Sequence, residues 1–245
     1  MFFDPIYLLI LGVGFLLSLG ASAYVKSAFS RGSQVPLRSG LTGAEVAQRI
    51  LRDQDITDVT VHEHQGFLSD HYSPMEKTLN LSSDVYHGRN AASAGVAAHE
   101  VGHALQHAQG DVTMWARSIL VYPAHFGSML GPLFVGLGVM LGSASQVAHG
   151  YHGFAYYLAL FGVGLFGVAT ACSIFIVFNE FNASARARGH LVRLGITMPG
   201  EEDDTVRRVL NAAGLTYLAA AVTALMQLVY WAWRAGLLGG GSRRD

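Results

Sequence analysis

Residues Phe154 to Phe178 read FAYYLALFGVGLFGVATACSIFIVF, twenty-five residues without one charged side chain. A helix rises 1.5 Å per residue, so about 20 mostly apolar residues cross the hydrocarbon core of a bilayer. The run is predicted to be a membrane-spanning helix. Three more runs behave alike: residues 5–25 (ending LLSLGASAYV), residues 119–141 (ILVYPAHFGSMLGPLFVGLGVML) and residues 215–233, which close on the aromatic YWAW expected near an interface. The two prolines and the glycines of the second run would trouble a soluble helix but are tolerated in lipid. Ala21-Ser22-Ala23 imitates a signal-peptidase site, yet no basic stretch precedes the apolar run and the run is long for a leader, so an uncleaved anchor is expected.

Composition agrees. Of 245 residues 51% are hydrophobic and 13% charged, against about 25% charged in a typical soluble domain. Helices buried inside a large soluble protein would still need a charged surface around them. The net charge of −1 gives no electrostatic footprint for nucleic acid. Cys172 stands alone inside an apolar run, which excludes an intrachain disulfide and any cysteine-based zinc site.

Basic residues predict the orientation. Lys26, Arg31, Arg38, Arg49 and Arg52 follow the first run, and Arg186, Arg188, Arg193, Arg207 and Arg208 follow the third. The connection GSASQVAHGYHG between runs two and three has neither Lys nor Arg. By the positive-inside rule both charged stretches are cytoplasmic and the N-terminus lies outside; Arg243 and Arg244 near the C-terminus count slightly against this. The expected layout is a single membrane domain over residues 1–245. Its spans are 5–25, 119–141, 154–178 and 215–233, with a cytoplasmic region at 26–118 and a second cytoplasmic segment at 179–213. If the last run only lies along the interface, the C-terminus moves inside.

Within 26–118, Thr42-Gly43-Ala44-Glu45 is a capping-box pattern that opens a helix to about Asp53. TDVTVH (57–62) and KTLNLS (77–82) alternate like short strands, separated by the turn-rich GFLSDHYSPME. Asn90 caps a long helix, AASAGVAAHEVGHALQHAQ, stopped by Gly110. Its alanines and glycines allow close approach by neighbours.

That helix carries the chemistry. His99 and His103, four apart, share a face and can present both imidazoles to one ion, while Glu100 stands one residue round. This is the content of H-E-x-x-H: two zinc ligands and a general base for a water that zinc acidifies to a pKa of about 7. Solvated histidines on a surface helix are the plain alternative. It is weakened by the surrounding Ala, Gly and Val, among which an uncoordinated histidine is costly. His107 continues the face, but eight residues span about 12 Å, too far for one ion to join it to His99. A His103–His107 pair would lack an adjacent base, and the metzincin positions hold Gln106 and Gln109. A third ligand must come from elsewhere on the same side of the membrane, and a carboxylate is the usual completion of a His₂ catalytic site. Glu180, directly after FIVF, is the acidic residue placed against a membrane run in the second half of the chain, where an unused acid is costly.

HEVGHALQH followed across two apolar runs by NEFNAS resembles the YugP-like membrane-bound neutral zinc metallopeptidases, as do the leading anchor and the stretch from Ser69 to Glu100. It is more distantly similar to the membrane gluzincins that cleave prenylated proteins and to a bacterial heat-shock membrane protease. The resemblance implies a mainly α, polytopic α-helical membrane protein of about four transmembrane helices with a small cytoplasmic α+β, zincin-like catalytic region. It implies Zn²⁺ held by His99, His103 and Glu180, with Glu100 as base, in a bacterial inner-membrane endopeptidase. Its partners would be the lipid bilayer and protein or peptide substrates, membrane-associated ones among them. Ser184 stands where the distant gluzincins carry Asp, so the charge of that second contact does not carry over. By similarity, KTLNLS is a candidate edge for docking an extended peptide, with an ordinary structural strand as the equal alternative.

His71, Tyr72, Asn182, Arg186 and His190 are unranked candidates for steadying an oxyanion. His149 and His152 fall in the outside loop and are expected to be ordinary exposed histidines. Glu201 to Asp204 open a helix and complement its N-terminal dipole. Site-2-type intramembrane cleavage needs the motif inside a membrane helix, and metal transport needs ligands within the spans; neither pattern is present. A non-catalytic membrane scaffold or holdase with structural zinc remains the alternative, against which the base Glu100 argues. Nothing in the sequence speaks to the oligomeric state.

Overall fold

The computed structural model describes residues 4–145 and 153–238. In chain order they form α1 (Pro5–Gly32), α2 (Gly43–Asp53), β1 (Thr60–His64), β2 (His71–Ser73), β3 (Thr78–Ser82), α3 (Ser83–His87), α4 (Ala91–Ala108), α5 (Val112–Ser145), α6 (Phe154–Arg193) and α7 (Glu201–Arg234). The fold is mainly helical, with one three-stranded sheet and four helices long and apolar enough to cross a membrane: α1, α6, α7 and, within α5, Tyr122–Gly142. His149, His152, Arg243 and Arg244 lie outside the described residues.

The chain divides into two compact units. One comprises Met1–Leu19, Arg117–Val177 and Tyr217–Asp245. Its helices turn large apolar side chains outward, among them Leu9, Phe15, Leu16, Phe126, Phe161 and Val229, a surface suited to lipid rather than water. Inside it, helices meet through small residues. A Cβ on Gly127 would stand 2.8 Å from the carbonyl oxygen of Leu165, and one on Gly162 would stand 2.7 Å from that of Gly131, so α5 and α6 touch almost backbone to backbone. Pro123 and Pro132 sit within α5 without ending it. Tyr7 stacks on Tyr230 at 5.1 Å between ring centroids, and Asp4, which caps α1, pairs with Arg234 at 3.6 Å.

The other unit, Gly20–Ala116 with Phe178–Thr216, holds the sheet and α4. The capping box forms as its residues predict: Thr42 accepts from the Glu45 N–H at 3.1 Å and Glu45 from the Thr42 N–H at 2.8 Å. Asn90 caps α4 by accepting from the Ser93 N–H at 2.9 Å. α4 is the buried axis of this unit, with Ala91, Ala92, Ala94, Ala97, Ala98 and Val101 all inaccessible. Its small residues admit three neighbours. Ala92 faces Gly32 of α1, Gly95 faces Val206 of α7, and Gly102 meets Ala183 of α6, where a Cβ would lie 2.7 Å from a carbonyl oxygen.

Three elements depart from the sequence reading. β3 (KTLNLS without its lysine) is the central strand, parallel to β1 and antiparallel to β2. Both its edges are occupied, which overturns its reading as a docking edge. The occupant of one edge, β2, lies in the connection expected to be only turns: Tyr72 pairs with Leu79 and His71 with Asn80. The apolar run ends at Phe178, but α6 continues to Arg193 and stops before Gly195, whose φ is +61°. Residues 179–193 are rich in Ala and Arg and contain no Pro, so the change in composition is not a change in backbone.

Candidate metal centre

α4 supplies His99, Glu100 and His103; α6 supplies Glu180 one turn before the Gly102–Ala183 contact. The tight approach of the two helices brings the side chains together. His99 Nε2 lies 3.2 Å and His103 Nε2 3.7 Å from Glu180 Oε2, and one ligating atom from each residue falls within 4.8 Å of the others. Four ligands placed tetrahedrally about 2.0–2.1 Å from zinc stand about 3.3 Å from each other. The two measured separations bracket that value. Two imidazoles and one carboxylate are the donor set of a catalytic zinc site that keeps a fourth position open. The three residues therefore fit zinc. Glu180 is 1% exposed, a burial that an uncompensated carboxylate would not tolerate.

The outer contacts fix how the imidazoles face. His99 Nδ1 lies 3.1 Å from Ser184 Oγ. Serine thus holds the first histidine through its hydroxyl, without the charge that aspartate would bring. The second histidine is held by a longer chain. Arg186 Nε donates to Asn182 Oδ1 at 2.8 Å, and a guanidinium only donates, so the oxygen of Asn182 must face it. Gln106 Nε2 donates to that same oxygen at 2.9 Å, which turns Gln106 Oε1 toward His103 Nδ1, 3.0 Å away. An amide oxygen only accepts, so Nδ1 of His103 carries the proton and Nε2 presents its lone pair to the site. Arg186 is itself anchored by Asp111 and Gln109. Gln106 is fully buried.

Glu100 is 8% exposed and flanks the pair on the same helix. Asp70, directly before β2, accepts from the Ser82 N–H at 2.7 Å and from the Ser82 hydroxyl. Its carboxyl is nevertheless held above its usual range, by burial first and also by the negative charge of Glu100. Tyr72 hydrogen-bonds His107 at 2.8 Å, so His107 ties β2 to α4 and is not gathered with the donors.

Of the five oxyanion candidates, Asn182 and Arg186 are joined to His103 and Tyr72 to His107. His71 is engaged by the Ser69 carbonyl and Asn80. His190 lies beside Arg193; burial and then that cation push its pKa down. Gln106 was legible only as a failure of the metzincin pattern. Its spacing, i+3 from His103, is the signal that could have identified it as a partner.

Residues 7–236 match the family described as "Putative neutral zinc metallopeptidase". The chain is 38% identical over 224 residues to the "Putative membrane protease YugP" of Bacillus subtilis (strain 168), covering 91% of this chain and 93% of that protein. No solved structure matches. With nearly the whole chain covered, and a donor set fit for zinc at its centre, the protein belongs to the neutral zinc metallopeptidase family.

Proposed function

We propose that the protein is an integral-membrane zinc endopeptidase whose site opens at the cytoplasmic face, with the N-terminus outside. His99, His103 and Glu180 are the metal ligands and Glu100 the general base. The observation that carries this reading is the convergence of the three donors from α4 and α6 with Glu100 beside them. When bound, zinc supplies a Lewis acid that lowers the pKa of water to about 7 and polarises a carbonyl oxygen.

The chain's own residues do the rest. Ser184 and Gln106 hold Nδ1 of the two imidazoles so that Nε2 of each faces the site. The Glu100 carboxylate takes the proton of the attacking water and passes it to the leaving amine, a contribution of about 10²–10⁴-fold. An extended peptide can add to the sheet only at β1 or β2; β2, tied to α4 by the Tyr72–His107 bond, is the edge beside the site. In the proposed layout, a single membrane domain with spans near 5–25, 119–141, 154–178 and 215–233, residues 26–118 and 179–213 lie in the cytoplasm, a reading supported by the excess of Lys and Arg there. Substrates are protein or peptide segments that reach the membrane surface.

The test is Glu100→Gln in full-length protein purified in detergent. Zinc should be retained while hydrolysis of casein falls by at least about a hundredfold. Equal activity in variant and wild type would refute the mechanism, and a wild type that holds zinc without hydrolysing anything would favour a structural site.

A further inference from the structure

A second site lies between the end of α1 and the start of α7. Tyr24, Ala28, Arg31, Gly32, Val35, Thr205 and Arg208 line a cavity of about 240 Å³ there. None of these residues contributes to the metal centre. Two guanidinium groups border the cavity. Among the described residues Arg31 makes no side-chain hydrogen bond or ion pair, and Arg208 donates only to the carbonyl of Asp204 and the hydroxyl of Thr205. No carboxylate lines the cavity, and Asp204, the nearest acid in sequence, is paired with Arg207. Two arginines, a threonine and a tyrosine give the lining donor groups and no carboxylate, the chemistry that receives a phosphate.

Its place along the helices says where the phosphate comes from. α1 turns Phe15, Leu16, Leu19 and Tyr24 outward, and Arg31 follows Tyr24 by seven residues, about 10 Å of helix. α7 turns Leu215, Leu218 and Val222 outward, and Arg208 precedes Leu215 by seven residues, again about 10 Å. On both helices, then, the arginine sits just beyond the lipid-facing stretch. The polar zone of a bilayer is about 5–8 Å thick on each side, within reach of an arginine leaning back toward it. Basic pockets between spanning helices at this depth bind the headgroups of anionic lipids.

We propose that this cavity binds the phosphate of an anionic phospholipid headgroup, clasped between Arg31 and Arg208. The lipid would thereby join α1 to α7 beside Gly32, which packs on Ala92 at the start of the metal-bearing helix.

The experiment uses full-length protein in a neutral detergent, titrated with phosphatidylglycerol, phosphatidylcholine or inorganic phosphate, with bound lipid counted by native mass spectrometry. Wild type should hold about one phosphatidylglycerol per chain, in preference to phosphatidylcholine and to inorganic phosphate. Two basic residues at a membrane surface contribute enough that Arg31→Gln with Arg208→Gln should weaken it roughly thirtyfold. The charge-matched pair Lys26→Gln with Arg207→Gln lies off the cavity and should leave the affinity within a factor of three of wild type. Zinc content checks that each variant folds, and Arg31→Gln alone, which removes no hydrogen bond or ion pair among the described residues, should still weaken binding at least threefold. Equal losses in the two double variants would show diffuse attraction and overturn the site. So would equal affinity for phosphatidylcholine, while inorganic phosphate bound as tightly as the lipid would overturn the headgroup assignment.

Discussion

Gln106 offers the sharpest test of how the metal centre is organised. Its side chain is fully buried, accepts from His103 and donates to Asn182. Truncation in Gln106→Ala leaves the His103 Nδ1–H without an acceptor in a place water does not reach, a cost of about 1–3 kcal/mol. Losing an outer partner of a metal-ligating histidine typically lowers metal affinity about 10–100-fold, or about 1.4–2.8 kcal/mol. The two figures agree, so nearly all of the loss should be read in zinc binding. Gln106→Glu separates positioning from packing. It keeps an acceptor for His103 and adds charge, which strengthens that bond. Its other oxygen, however, faces Asn182 Oδ1, which Arg186 prevents from turning away. The glutamate variant should therefore hold zinc about as well as wild type while its metal-free form melts at lower temperature. Competition against a chromophoric chelator measures the first quantity and thermal unfolding in detergent the second. Zinc affinity of Gln106→Ala within threefold of wild type, or equal weakening by Ala and Glu, would refute the chain of hydrogen bonds as the element that orients His103.

Glu180→Ala removes the third donor, and bound zinc should fall to near zero after dialysis against EDTA and readdition of one equivalent; unchanged stoichiometry would remove Glu180 from the ligand set. Gly102→Ala puts a methyl group 2.7 Å from the Ala183 carbonyl oxygen, so the backbone of α6 must shift. Overpacking of this kind costs about 1–3 kcal/mol, more than the roughly 1 kcal/mol gained in helix propensity, and zinc affinity should fall with stability because Glu180 lies one turn away. A more stable variant with full zinc affinity would contradict the close contact. Asp70 gives a pH signature in metal-free protein. Its carboxyl is held above the ordinary value by burial and by Glu100, so the native chain binds that proton more tightly than the unfolded chain does. Stability is then greatest below the unfolded pKa of about 3.9 and falls as pH rises through the higher folded value. Asp70→Asn keeps an acceptor for Ser82 and should melt above wild type at neutral pH, with the difference vanishing below about pH 4. A lower melting temperature at neutral pH would reverse the assignment.

The four apolar helices and the cluster of His99, His103 and Glu180 were legible because both are written in local spacing. An uncharged run such as 154–178 states its own length, and HEVGH states which side chains share a face. Even Glu180 could be reached, since an acid placed directly against an apolar run asks for a use. What remained hidden depends on contacts distant in sequence. Three residues, His71 to Ser73, form a strand only because Thr78 to Asn80 lie opposite them, and no alternation over so short a stretch announces it. The same pairing took from β3 the free edge its pattern suggested. The passage of α6 beyond Phe178 was obscured by composition, which changes there while the helix continues. Gln106 was obscured by type: a polar residue after an apolar pair suggests solvent, and only the amide of Asn182 explains its complete burial.

The placement of Glu180 on α6 also bears on when the centre comes into being. A ribosome makes His99, Glu100 and His103 first, then the apolar runs of α5 and α6, and only then Glu180, eighty-one residues after His99. Until Glu180 has been synthesised, the nascent chain carries two of the three clustered donors and no complete set. Both of those apolar runs must therefore have left the ribosome, on their way into the bilayer, before the centre can assemble. In the proposed enzyme, hydrolytic competence is thus timed by biogenesis, and a chain halted or cut between the two motifs would be inert without any separate inhibitor.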